Sequence, residues 1–210
     1  DNYAKLAAAK LSFINGDTTA AGTIMREVLK TTKRKNPELL RQIAATYSKL
    51  EVMNADVAIS LLQEAITLEP KNADNYLLLG DAQIINPRNA SAAMKSYNLA
   101  SDINNDAKAI VRKAHVYQRA KNANLANEMF QTAIDLEPNY APTYRAQAEL
   151  YMEYYQYNKA IPLWEKYITL NDSDKARYRY ASSLFAAEQY EAALAQLVKL
   201  EERGFANAYT

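Results

Sequence analysis

The feature that most constrains this chain is an alanine that returns at a nearly constant interval along the sequence. Successive copies are 37, 35, 33, 34 and 33 residues apart, and a bulkier residue follows each copy four positions later. A small residue lets two helices approach closely, and a bulky one fills the space beside them. A period of this length is typical of stacked helical repeats. The pairs are Ala21 and Met25, Ala58 and Leu62, Ala93 and Tyr97, Ala126 and Phe130, Ala160 and Trp164, and Ala193 and Leu197.

Each repeat has the pattern of two short amphipathic helices. In the fourth repeat Ile110, Ala114 and Tyr117 recur at the i, i+4, i+7 spacing of one helix face. Short polar residues over 121–124 compete with the backbone for hydrogen bonds and predict a break. A second apolar stripe follows, and Pro138 ends the repeat because it cannot continue a helix. Two helices this short cannot bury their apolar faces alone, so each repeat is predicted to pack against the next.

The repeats are predicted to form a single array over residues 1–210. In the second repeat the break between the two helices is predicted at Val52–Ala55. Residues Phe205–Thr210 read as the entry to a further repeat, so we expect the chain to be part of a longer protein. The predicted repeats cover approximately residues 1–36, 37–72, 73–106, 107–140, 141–173 and 174–207.

Two stretches carry a resemblance to a known family. Tyr76-Leu77-Leu78-Leu79-Gly80 fits the W-x-x-L-G opening of the tetratricopeptide repeat, and Ala126, Phe130 and Pro138 fit its closing half. The sequence resembles this repeat over nearly all of its length, in about six tandem copies. The resemblance implies an all-α fold, an α-α superhelix (solenoid) of antiparallel helix pairs. The departures are Ser12 and Arg177, where an aromatic residue is usual, and Asp172, where the closing proline of the fifth repeat is usual.

Composition argues against most kinds of catalytic site. The chain has no cysteine, which excludes disulfides, thiol catalysis and cysteine metal sites. It has one histidine, His115, and four scattered glycines, which disfavour a histidine metal site and a phosphate-binding loop. We therefore predict a protein that is not an enzyme and that needs no metal or other cofactor. No apolar run reaches the roughly 18–20 residues that span a bilayer, so no membrane span is predicted in this segment.

The candidate binding surface follows from the resemblance, which implies that the first helix of each repeat lines a concave groove for a peptide or a partner protein. On the first helix of the fourth repeat, a basic stripe recurs at i, i+4, i+7 and i+11. Such a row could bind an acidic or C-terminal carboxylate group through charge-assisted hydrogen bonds. The alternative is an ordinary solvated face in which carboxylates neutralise the cations. The stripe is Lys108, Arg112, His115 and Arg119, and the candidates in other repeats are Arg41, Leu77, Leu78, Asp81, Arg145, Glu149, Lys175 and Arg179.

A more specific function is not expected. Some tetratricopeptide-repeat proteins bind the C-terminal carboxylate of heat-shock chaperones through basic residues and two asparagines. Arg41, Lys108 and Arg112 match the basic positions of that pattern. Ala45 and Leu78 stand at the asparagine positions, so the amides that would orient the carboxylate are missing. A peptide with an acidic end remains the hypothesis.

The leading interpretation is a non-catalytic scaffold for protein–protein interaction. One alternative is a structural spacer within a larger multidomain envelope protein. Another is a helical repeat that binds single-stranded RNA, but the net charge of +1 disfavours nucleic acid as a partner. The sequence does not fix the compartment or the oligomeric state. A similarity to asparagine- and tyrosine-rich arrays of bacterial envelope proteins favours a periplasmic or envelope location over the cytoplasm.

Overall fold

The computed structural model describes residues 1–48 and 55–205, and within these ranges it contains helices and turns but no strand. A short 3₁₀ helix, Pro87–Asn89, precedes the sixth α-helix. Of the predicted break at Val52–Ala55 only Ala55 is described, and residues 206–210 of the predicted further repeat lie outside the described part. The helices are α1 (Asn2–Ile14), α2 (Thr18–Thr31), α3 (Pro37–Ser48), α4 (Ala55–Leu68), α5 (Ala73–Gln83), α6 (Ala90–Ile103), α7 (Ala107–Arg119), α8 (Ala123–Leu136), α9 (Ala141–Glu153), α10 (Tyr157–Leu170), α11 (Asp174–Ala186) and α12 (Tyr190–Glu202).

The α-helices of the described chain form six successive pairs, so the predicted all-α repeat of antiparallel helix pairs is confirmed. The chain divides into two compact units, an N-terminal unit over 1–105 and a C-terminal unit over 106–210. Within the units, the second helix of one pair packs on the first helix of the next, as α4 does on α5 and α10 on α11. The first helices of successive pairs also touch: α3 contacts α5, and α7 contacts α9. That residues 1–210 form a single array within a longer protein stays a prediction.

Turns between the helices use side-chain caps and left-handed backbone conformations. Gly16 has φ +87° and Gly204 has φ +76°, a region that glycine enters without strain. The predicted break over 121–124 extends two residues too far, because α8 already begins at Ala123, and it misses Ala120, which follows the end of α7 at Arg119. The Asn122 side chain caps this helix and accepts a hydrogen bond from the Leu125 amide at 3.2 Å.

The repeating alanine is a core residue in every pair. All six copies are between 0% and 2% exposed, and five of the bulky residues that follow them are no more than 2% exposed. The sixth prediction is wrong, because Leu197 is 41% exposed. In the described chain no later helix packs over that side of α12. Among the glycines, Gly80 of α5 lies closest to a neighbouring side chain, the ring of Tyr97 in α6. A Cβ atom added to Gly80 would lie 2.7 Å from Tyr97 Cδ1 and 2.8 Å from Tyr97 Cζ.

Two departures from the repeat pattern compensate each other. Arg177, at an aromatic position, is buried, and its Nη2 lies 2.6 Å from Asp172 Oδ2, at the position of the missing proline. The same carboxylate oxygen accepts a hydrogen bond from Arg203 Nη2 at 2.6 Å, and Arg177 Nη1 donates to Gln196 Oε1 at 2.6 Å. Hydrogen bonding to Arg203 lowers the pKa of Asp172 against the opposing effect of burial, and Arg177 adds to the lowering. An ion pair therefore joins the fifth and sixth repeats at a point where ring packing is usual.

Candidate functional site

The predicted basic stripe lies along one side of α7. The Asp106 side chain caps this helix and accepts a hydrogen bond from the Lys108 amide at 3.1 Å. The opposite side of α7 is buried through Ile110 and Ala114. Lys108 and Arg119 are exposed, whereas Arg112 and His115 are half-buried. The helical period of the sequence therefore separates a core side of α7 from a side that carries cations.

The first helices α7 and α9 lie side by side and form what we call the α7–α9 face. Gln118 of α7 donates from Nε2 to Glu153 Oε2 of α9 at 2.8 Å. Lys121 Nζ reaches the other oxygen of Glu153 at 2.7 Å and lowers the pKa of that carboxyl by this hydrogen bond. The face therefore has a defined geometry. It consists of Lys108, Arg112, His115 and Arg119 of α7 with Arg145 and Glu149 of α9.

His115 contributes little positive charge to this face at neutral pH. Burial lowers its pKa, and this effect outweighs the contact with Gln118 and the carboxylate of Glu149, which raise it. The guanidinium groups of Arg145 and Arg112 lower the pKa further. The ring packs edge-to-face on Phe130, with centroids 5.4 Å apart. The neutral imidazole is therefore a hydrogen-bonding group within a cationic surface.

Arg145 and Glu149 are both accessible on α9. Arg145 Nε lies 4.0 Å from Glu149 Oε1, at the limit of an ion pair, and the two side chains are 53% and 38% exposed. An exposed pair of this kind contributes little stability. Because the pair is loose and exposed, separating Arg145 from Glu149 costs little free energy.

Positive charge is concentrated on the first helices of the C-terminal unit. Helix α7 carries four cations and no carboxylate. With α9 and α11, the three first helices have five more cations than carboxylates, whereas the second helices α8, α10 and α12 have three more carboxylates than cations. In the N-terminal unit the first helices α1, α3 and α5 are balanced. The net charge of +1 therefore hides a strongly uneven distribution.

Arg41, a predicted site residue of the N-terminal unit, is committed to structural contacts. Its side chain is 12% exposed and lies 2.6 Å from Glu38 and 2.5 Å from Glu69. Its Nη1 also donates to Asn75 Oδ1 at 3.0 Å. Asn75 is fully buried and donates to the backbone oxygens of Ala65 and Glu69 at 3.2 and 2.8 Å. This network connects α3 to α5 across the end of α4. The role of Asn75 could not be predicted from the sequence, because Asn75 resembles any polar residue at the start of a helix.

The remaining candidates lie on helices other than α7 and α9. Leu77 is 3% exposed and belongs to the core, whereas Leu78 is partly buried against the core. Asp81 accepts a hydrogen bond from the Tyr97 hydroxyl at 3.0 Å. Lys175 and Arg179 are exposed on α11. The structure thus brings Arg112, Arg145 and Glu149 within electrostatic range of His115, and the role of these residues in binding stays a prediction.

Two further observations concern the described residues only. Among them, no group of three or more histidine, aspartate or glutamate side chains is placed to hold a metal ion. None of the helices in that part of the chain combines the length and apolar character needed to cross a bilayer.

Comparisons with known proteins bear on the fold. No protein-family model and no curated protein matches the sequence. Among solved structures, a thermophilic tetratricopeptide-repeat protein of Thermus thermophilus is similar with a TM-score of 0.70 and 22% identity, over 88% of this chain and 100% of that one. This chain has the tetratricopeptide-repeat fold. The resemblance carried by the Tyr76–Gly80 stretch and by Ala126, Phe130 and Pro138 is confirmed at the level of the fold.

Two other solved structures are also similar to this chain. PilW, a type IV pilus biogenesis factor, has a TM-score of 0.69 and 18% identity, over 100% of this chain and 94% of that one. YrrB, described as a tetratricopeptide-repeat protein with an unusual peptide-binding site, has a TM-score of 0.51 and 15% identity, over 85% of this chain and 91% of that one. Because these identities are low, the similarity extends to the tetratricopeptide-repeat fold and not to particular residues.

Proposed function

We propose that this tetratricopeptide-repeat chain is a non-catalytic protein-interaction scaffold. Its α7–α9 face binds a segment of a partner protein that carries acidic side chains or a free C-terminal carboxylate. The observation that supports this most is the concentration of cations on the first helices of the C-terminal unit, where α7 has four cations and no carboxylate. The peptide-binding site named for YrrB shows that this fold can serve such a role in another protein.

The chemistry of the face suits an anionic peptide. Lys108 and Arg119 are exposed at the two ends of the stripe and attract carboxylates through space. Arg145 can offer a planar, bidentate guanidinium once it leaves Glu149. His115, held neutral by its surroundings, can donate or accept a hydrogen bond, and Glu149 disfavours a second negative charge at its own position. The arrangement therefore selects a spaced pattern of carboxylates over a uniformly acidic chain.

Fluorescence anisotropy with labelled peptides tests this function. The probes are an acidic peptide with a free C-terminus, the same peptide amidated, and a version with lysine in place of each acidic residue. We expect the acidic peptide to bind best and the lysine version not to bind. Lys108→Ala and Arg145→Ala should each weaken binding about ten-fold, the loss of one charge-assisted hydrogen bond. Lys35→Ala, an exposed cation of the N-terminal unit, should change nothing.

Two results would overturn the proposal. Equal binding of all three peptides would show that charge does not direct recognition. Binding that is the same in wild type, Lys108→Ala and Arg145→Ala would show that the α7–α9 face is not the site. A chain that binds none of the peptides would favour the structural spacer.

A further inference from the structure

A hydrogen-bonded ion pair closes the edge between the fourth and fifth repeats but has no counterpart between the fifth and sixth. At the first of these edges, Gln118 and Lys121 donate to the two carboxylate oxygens of Glu153 at 2.8 and 2.7 Å. They precede the alanine of their repeat by eight and five positions, and Glu153 precedes the next alanine by seven. None of the residues at the same positions one repeat later can form this pair. They are Met152, Tyr155 and Ala186.

A cavity of about 560 Å³ opens where this network would stand. It lies between the turn after α9 and the turn after α11, and we call it the turn cavity. Both turns belong to the C-terminal unit. From the turn cavity, α12 runs for 13 residues, roughly 20 Å, before the chain continues. A further repeat packed on the sixth would stand on the other side of that repeat, so the fifth and sixth repeats alone bound the cavity.

Tyr155 brings an aromatic ring to the turn cavity at a cost to the backbone. Its φ is +58°, in the left-handed region that bulky residues rarely enter, and the equivalent residue of the first repeat is Gly16. The ring gains little from packing, because Tyr155 is 80% exposed. Backbone strain that burial does not compensate indicates a role other than stabilising the fold.

The lining of the turn cavity combines aromatic walls with free hydrogen-bond donors. The rings of Tyr155 and Tyr157 stand at 80° to each other with their centroids 6.3 Å apart, so they form a corner. The side-chain amides of Gln156 and Asn158 line the same cavity, and neither has a hydrogen-bond partner among the described residues. Each amide can donate two hydrogen bonds to a ligand. The cavity therefore suits a ligand with apolar rings and free acceptor oxygens.

We propose that the turn cavity binds a proline-rich segment of a partner protein in the polyproline II conformation. Such a segment has no internal hydrogen bonds, so its carbonyl oxygens can accept from the amides while its proline rings pack on the aromatic walls. Lys159 and Glu188 give the lining one charge of each sign, which favours a neutral ligand over the acidic peptide of the α7–α9 face. The segment is stiff before it binds, so binding costs little conformational entropy.

Fluorescence anisotropy with labelled nonaproline tests this. A labelled glycine–serine peptide of the same length keeps the carbonyl groups but lacks the rings and the stiffness, and labelled maltotetraose tests the cavity as a sugar site. We expect nonaproline to bind and both controls to fail. Tyr155→Gly removes one aromatic wall and should weaken binding about ten-fold. Because glycine suits the left-handed turn, the midpoint of this variant in urea unfolding should be no lower than that of the wild type.

A second variant closes the turn cavity by restoring the ion pair. Tyr155→Lys with Ala186→Glu places at this edge the ammonium and carboxylate groups that lie 2.7 Å apart between Lys121 and Glu153. The new pair should occupy the cavity, so nonaproline should no longer bind. Tyr154→Ala is the matched control, because Tyr154 is the neighbouring tyrosine, is 36% exposed and is not part of the cavity lining. This control should bind nonaproline as the wild type does.

The proposal is overturned if the wild type does not bind nonaproline. It is also overturned if nonaproline binds equally to the wild type, to Tyr155→Gly and to the variant with the restored ion pair, because the turn cavity is then not the site. Tighter binding of maltotetraose or of the glycine–serine peptide than of nonaproline would exclude a proline-rich ligand. Binding at the α7–α9 face is measured with acidic peptides, so the outcome there and the outcome here are independent.

Discussion

Replacing Gly80 with alanine is expected to destabilise the N-terminal unit, even though Gly80 lies inside α5, where alanine is the better helix former. The added Cβ would overlap the ring of Tyr97, at 2.7 Å from Cδ1 and 2.8 Å from Cζ. That ring is 2% exposed, and its hydroxyl donates to Asp81 at 3.0 Å, so it has little room to move. Overpacking of this kind costs about 1–3 kcal/mol. The gain in helix propensity offsets about 1 kcal/mol of this cost, so the net loss of stability is at most about 2 kcal/mol.

Gly22 provides the matched control within α2. A Cβ at this position would meet Arg26 Nη1 at 3.4 Å, the end of a flexible and exposed side chain. No overlap opposes the gain in helix propensity, so Gly22→Ala should stabilise the protein by up to about 1 kcal/mol. The two substitutions make the same chemical change and should have opposite signs.

Urea unfolding followed by circular dichroism at 222 nm measures both effects as shifts of the midpoint at constant slope. A double-mutant cycle then isolates the cause, because Tyr97→Leu removes the ring that the new methyl group would strike. The cost of Gly80→Ala should shrink or reverse in the Tyr97→Leu background. An unchanged cost in that background would refute the close approach of α5 and α6, as would a Gly80→Ala protein at least as stable as the wild type.

Three further perturbations follow from other parts of the structure. Asp172→Ala should cost about 3 kcal/mol because it leaves the buried Arg177 unpaired, and Asp172→Ala with Arg177→Leu should recover much of that loss in urea unfolding; additive costs would contradict the pairing. Because burial lowers the pKa of His115 in the folded state, stability should fall as the pH drops from about 6.5 through that lowered pKa. His115→Gln should flatten this dependence between pH 7 and pH 5, and identical slopes would exclude the histidine as its source. Asn75→Ala removes three hydrogen bonds of a buried amide and should cost about 1–3 kcal/mol, against little change for the exposed neighbour Asp74→Ala; a cost below about 0.5 kcal/mol would contradict its bridging role.

The fold could be predicted from the sequence because the packing of a repeat is local and periodic. The repeat alanine, its bulky companion and the polar breaks recur in register, and each copy supports the interpretation of the others. The same periodicity explains the error at Leu197. Its position in the pattern is the same as that of Trp164, which is fully buried. Whether such a residue is covered depends on the helix packed over it, and spacing along one chain does not contain that information.

The candidate site was only partly predictable. The cationic side of α7 follows from helical spacing, so its residues could be named in advance. The hydrogen bonds of Arg41 to Glu69 and Asn75 could not be predicted, because these partners lie 28 and 34 residues away in sequence. The pairing of Asp172 with Arg177 could have been predicted, because two residues of opposite charge depart from the repeat pattern five residues apart. The lowered pKa of His115 depends on burial and on neighbours from α9, which no pattern on α7 reveals.

The most direct measurement of the proposed function is a map of amide chemical-shift changes in a ¹⁵N-labelled protein when the acidic peptide is added. We expect the largest changes along α7 and α9, centred on His115 and Arg145, with the His115 ring signals shifting toward the protonated form as a carboxylate approaches. Changes confined to the N-terminal unit, or spread weakly over the whole surface, would contradict a binding site on the α7–α9 face.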